Sequence, residues 1–186
     1  GEPVQCHGGR KGFDRFLWKG EAVKEPGRVG VRFHRLSPDG EQGFPGNMDA
    51  YVTYWLTDDN VVKAEYEATT DKATHCNLTN HTYFNLAGHD QFGAAMEQIL
   101  SMPGRFFNPD DAQSIPTGEL RSVEGSPMDF RTPKPIGRDI NADYDALNLQ
   151  GGYDHNWEVF CNPCATLSDP VSGRIMTVYT DCPGVQ

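Results

Sequence analysis

Tyr51-Val-Thr-Tyr-Trp-Leu-Thr57, Asp58-Asp59-Asn60 and Val62-Lys-Ala-Glu-Tyr-Glu-Ala68 follow one another almost without a break. The first run is rich in β-branched and aromatic residues, which pack well on a pleated surface. In the third run Val62, Ala64, Tyr66 and Ala68 alternate with Lys63, Glu65 and Glu67, the period of two expected of a strand with one wet face. The acidic and amide trio between them is turn chemistry. The whole reads as a β-hairpin.

The same signal recurs on both sides. Val29, Val31 and Phe33 alternate with Gly30, Arg32 and His34, and Ser37-Pro-Asp-Gly40 and Phe44-Pro-Gly-Asn47 are turn sequences. Further strands are expected over residues 96–102, 157–160 and 174–180, the last entered through Asp169-Pro-Val-Ser-Gly173. Prolines recurring from Pro103 to Pro135 exclude a long helix there. Residues 139–147 have room for one or two helical turns. Many short strands punctuated by glycine and proline predict an all-β sandwich. At 186 residues with no internal repeat, the expectation is a single domain over 1–186.

A formal net charge of -10 and a pI near 4.9 repel phosphate backbones and anionic lipid, so the expected partners include neither nucleic acid nor membrane. No run of about 20 apolar residues is present, and Gly1-Glu2-Pro3 is not expected to begin a signal peptide. Five cysteines, an odd number without regular spacing, fit reduced thiols and a cytoplasmic location. Cys161-Asn-Pro-Cys164 is a lone pair without a second pair or a histidine pattern, and His7, His81 and His155 lie at no metal-ligand spacing. No metal is expected.

Asn77-Leu-Thr-Asn-His-Thr-Tyr-Phe-Asn-Leu-Ala-Gly88 sets a histidine among amides, hydroxyls and aromatics instead of aliphatics. If the segment is extended, Asn77, Thr79, His81, Tyr83 and Asn85 share one face. Sealed inside, those five groups would each need a partner. A cleft binding a polyhydroxylated ligand would supply them, and His81 would be its proton-transfer group.

Five separated motifs carry a family likeness. They are Cys6-His7-Gly8-Gly9 running on to Gly12-Phe13-Asp14 with Trp18, Asp39-Gly-Glu-Gln-Gly-Phe-Pro-Gly-Asn47, Thr79-Asn-His-Thr-Tyr-Phe-Asn-Leu86, Gly152-Tyr-Asp-His-Asn156 and Pro183-Gly-Val-Gln186. In this order they closely resemble the aldose 1-epimerase, or galactose mutarotase, family. The resemblance implies a large antiparallel β-sandwich with a sugar in an open cleft, and an isomerase that interconverts the α and β anomers of free hexoses without a cofactor. It implies that His81 is the general acid for the ring oxygen, that His7 contacts the sugar, and that Asp154 and Gln186 bind its hydroxyls. Tyr83, beside His81 in the motif, is carried as a further substrate contact.

Two parts of the family pattern have no counterpart. The family's general base is a glutamate well beyond the Pro-Gly-Val-Gln motif, and an Asn-Arg pair stands ahead of its His-Gly-Gly motif. Glu41, Glu65 and Glu158 do not occupy the base's place in the motif order. The expectation is therefore an internal segment of a longer mutarotase, incomplete at both ends of its sandwich. A non-catalytic carbohydrate-binding module on the same fold is one rival reading. A hexose-phosphate mutarotase using Arg10, Lys11 and Arg15 is another, since a phosphate needs a cationic cluster.

Overall fold

The computed structural model describes residues 5–186, so Gly1-Glu2-Pro3, where no signal peptide is expected, lies outside the described residues. The chain forms two compact units, Gly1–Thr82 and Tyr83–Gln186.

The first unit is built on β1 (Lys19–Glu25), β2 (Arg28–Ser37), β3 (Met48–Thr57) and β4 (Val62–Thr70). They make an antiparallel meander in the order β1-β2-β3-β4. The hairpin at 51–68 is therefore as read, in the register Tyr54↔Ala64 and Val52↔Tyr66. Its faces are not. Val29, Val31 and Leu56 are 39–51% exposed and Val62 75%, although all four lie on the aliphatic side. Trp55 and Thr53, on the polar side, are buried. Arginine guanidinium groups explain the inversion, because the planar cation stacks on an aromatic face and covers it. Arg28 lies 4.0 Å over the Trp55 ring and Arg32 4.4 Å over Tyr51, which His34 also stacks at 4.4 Å.

The second unit contains β5 (Ile99–Ser101), β6 (Phe106–Asn108), β7 (Arg121–Ser122), β8 (Lys134–Pro135), α1 (Asp145–Gln150), β9 (Asn156–Glu158), β10 (Ala165–Ser168), β11 (Ile175–Val178) and β12 (Gly184–Val185). One sheet runs β11-β10-β5-β8 and the other β12-β9-β6-β7, all pairings antiparallel. Phe107 and Trp157 from one sheet and Ala165 from the other join Met128, Phe130 and Leu147 in one core. Two sheets burying a shared apolar layer are the sandwich that the strand pattern predicts.

Three expectations are corrected. Residues 77–85 form no strand. Asn80 Oδ1 accepts the Thr82 N–H at 2.8 Å and Asn85 Oδ1 accepts the Ala87 N–H at 3.1 Å, local bonds that compete with a ladder. The expected strand at 96–102 shortens to β5, because a 3-10 turn occupies Ala94–Glu97. The helical turns expected at 139–147 appear later, as α1, which ends at Gly151 in the left-handed region with φ 72°.

Phe107 is fully buried against Tyr144, His155 and Trp157. Phe107→Ala should cost about 3–5 kcal/mol, read as a fall in the urea midpoint at unchanged m-value, whereas Val62→Ser should stay within about 0.5 kcal/mol of wild type.

Candidate active site

In the first unit the chain turns sharply at His7. Its φ is 53°, followed by Gly8 at 80° and Gly9 at 100°, a left-handed run that glycine tolerates and histidine does not favour. The Gly9 N–H closes the turn on Cys6 O at 3.1 Å. Gly12 completes it, since a Cβ there would stand 2.3 Å from His7 O.

His81 sits between two fixed neighbours. Asn80 Nδ2 donates to the Tyr54 hydroxyl on β3 at 3.1 Å, and the same amide's oxygen holds Thr82. Both imidazoles are exposed, and they meet edge to face with centroids 5.0 Å apart at 74°. Two groups able to donate, accept or carry a proton thus open side by side. Tyr54 carried no signal in the sequence that would have marked it as a support.

In the second unit Asp154 follows the end of α1 and precedes β9. Gly151 and Gly152, at φ 72° and 145°, let the chain leave the helix, and the Gly152 N–H returns to Leu147 O at 3.0 Å. The Asp154 N–H donates to His155 Nδ1 at 3.1 Å. His155 is 2% exposed, with Phe107 and Trp157 edge-on at 5.6 and 6.2 Å. Burial holds its pKa below the usual imidazole value of 6.5, against a smaller upward pull from Asp110 and Asp154.

Gln186 follows β12, which pairs with β9 as Val185↔Trp157. Its Nε2 donates to Asp154 Oδ1 at 2.6 Å. Gly184 is required for that approach, since a Cβ there would lie 2.1 Å from Asn156 Oδ1. That bond uses one of the two Gln186 amide N–H groups, and the amide oxygen and the second carboxylate oxygen are acceptors suited to hydroxyl donors. Tyr83 is 89% exposed.

The structure therefore joins His7 to His81, and Asp154 to Gln186. Asn85, counted above with the sugar-facing row, is instead held by the second unit's own fold. Its Oδ1 takes Gln98 Nε2 at 2.7 Å and its Nδ2 donates to Gln91 O at 3.0 Å. Glu41 and Glu65 are also engaged, the first by Arg35 and Ser37 and the second by Trp55 and Lys63. Among the described residues no three His, Cys, Asp or Glu side chains group as metal ligands.

The family model described as aldose 1-epimerase matches residues 1–186. The chain belongs to the aldose 1-epimerase family. It is 41% identical over 186 residues to aldose 1-epimerase of Haemophilus influenzae, covering 98% of this chain and 53% of that protein. Against human galactose mutarotase the identity is 39% over 192 residues, covering 100% of this chain and 52% of the other. The crystal structure of galactose 1-epimerase from Lactobacillus acidophilus superposes with a TM-score of 0.88 at 31% identity, over 97% of this chain and 52% of that one. This aldose 1-epimerase family chain has their antiparallel β fold and spans about half their length.

The depressed His155 pKa makes the second unit acid-sensitive. Stability is complete above the ordinary value of 6.5 and falls as pH drops below it, because the unfolded chain takes up a proton that the buried ring resists. Urea unfolding between pH 7.5 and 5 should show this slope, and His155→Phe should flatten it.

Proposed function

We propose that this chain carries the acid and the hydroxyl-binding groups of an aldose 1-epimerase acting on free aldohexoses such as galactose and glucose. His81, as imidazolium, gives a proton to the ring oxygen while a base removes the proton of the anomeric hydroxyl. The bond from the anomeric carbon to the ring oxygen breaks and an aldehyde forms. Rotation of that carbonyl and reversal of both proton transfers close the ring as the other anomer. Protons balance, and no cofactor enters.

His7 and Tyr83 are assigned to substrate contact, and Asp154 and Gln186 to hydroxyl recognition. No residue of this chain matches the family's general-base glutamate in motif order, so that proton is assigned to a group outside these 186 residues. The observation that carries the reading is the edge contact of His7 with His81 at 5.0 Å. Histidine suits the acid, since its unperturbed pKa of about 6.5 lets it hold or release a proton near neutrality. Positioned proton transfer of this kind contributes about 10²–10⁴-fold. A cytoplasmic location belongs to the same proposal and is supported by five free thiols.

The test replaces the matching half of the Haemophilus influenzae enzyme with these residues and follows the optical rotation of freshly dissolved α-galactose. The chimera should speed its decay, and His81→Gln should slow the chimera by about 10²–10⁴-fold. A His81→Gln chimera at full speed would contradict the assignment.

A further inference from the structure

The motif at 39–47 has no part in the chemistry above, yet it touches the turn that carries His7 and the end of the strand from which the chain runs on to His81. Gln42 is the only residue of that loop outside glycine in the left-handed region, with φ 51° and ψ 20°. Non-glycine residues held this way persist where surroundings over-determine them, and such strain gathers at functional sites. Here the strained residue faces the other strained turn. Gln42 O accepts Gln5 Nε2 at 2.8 Å, and its side-chain oxygen accepts the Lys11 N–H at 3.4 Å. A Cβ added to Gly9 would lie 2.7 Å from Gln42 Oε1. Gln42 therefore fills the space behind the turn on which His7 stands.

The rest of the loop is tied to the end of β4, from which the chain runs on to His81. Asp39 Oδ2 takes Lys72 Nζ at 2.6 Å, and Asp39 Oδ1 takes the Gly46 N–H at 2.6 Å. Asn47 donates from its side chain and its backbone to the two oxygens of Asp71, each at 2.7 Å. The hydrogen bonds from Lys72 and Gly46 hold the Asp39 carboxyl below its usual range, and those from Asn47 do the same for Asp71. One loop thus grips the chain ahead of His81 and supports the turn at His7.

We propose that Gln42 is a positioning residue, which the 39–47 loop presents so that it fixes His7 against His81. It touches no reacting atom; its effect passes through the His7 turn. Its sugar readout rests on the function proposed above, but its geometric readout does not.

The test uses the 186-residue chain with histidine rings labelled with carbon-13. Wild type should show a nuclear Overhauser effect between the rings of His7 and His81, and galactose should shift both. Gln42→Gly relieves the left-handed backbone and removes the side chain. It should leave the melting temperature unchanged or higher, lose the ring-to-ring effect and weaken galactose binding at least fivefold. Gln42→Glu, which keeps length and acceptor, should restore both. If the glycine variant does not fold, Gln42→Asn, one methylene shorter and tolerant of this conformation, should show the same loss. Retention of the ring-to-ring effect in the folded shortened variants overturns the proposal. Loss of that effect in a chain whose wild type ignores galactose supports the positioning role and counts against the sugar reading alone.

Discussion

The ion pair of Arg35 with Glu41 is the constraint on which the first unit's geometry depends. Arg35 is 7% exposed, with Phe16 and Phe13 at 3.6 and 4.8 Å from its guanidinium, and Nη2 meets Glu41 Oε1 at 2.5 Å. Burial pushes the Glu41 carboxyl up, but hydrogen bonds from Arg35 and Ser37 outweigh it and leave the group below its usual range. A charge so enclosed is stable only with its partner, and removing one member of such a pair costs about 3–5 kcal/mol. Arg35 comes from β2, Glu41 from the 39–47 loop, and Phe13 and Phe16 from the segment after His7. Three pieces of chain therefore meet at one compensated charge, one of them the segment that leads on from the His7 turn.

The strands were legible because alternation is a local property of the chain. Residues 51–68 announce a hairpin wherever they are placed. Which face is covered was not legible, since Arg28 and Arg32 count as polar in a pattern but lay their guanidinium groups over Trp55 and Tyr51. The segment around His81 misled for a related reason. Asn85 was read with the ligand-facing row, whereas its side-chain oxygen takes the nearby Ala87 N–H, and Asn80 likewise takes the Thr82 N–H, local bonds that hold the segment out of any ladder.

The candidate site was legible in its residue types and only partly in its arrangement. His7, His81, Asp154 and Gln186 stand in motifs whose order names a family, and the family model covers the whole chain. The contact between the imidazoles and the bond from Gln186 to Asp154 are long-range facts that no spacing encodes. The importance of Gln42 was hidden more deeply. A glutamine among glycines reads as a polar loop residue, and only its backbone angle and its place behind Gly9 distinguish it. Glycines whose absent Cβ makes room, such as Gly12 behind His7 and Gly184 beside Asn156, were quoted in motifs without a reason that the sequence could supply.

The direct test of the central claim, that His81 protonates the ring oxygen of a bound hexose, is a crystal structure of the chimeric enzyme with galactose. An imidazole nitrogen of His81 should lie about 2.6–3.2 Å from the endocyclic oxygen, with His7 on the same sugar. A galactose whose ring oxygen faces away from His81, bound with full occupancy, would contradict it.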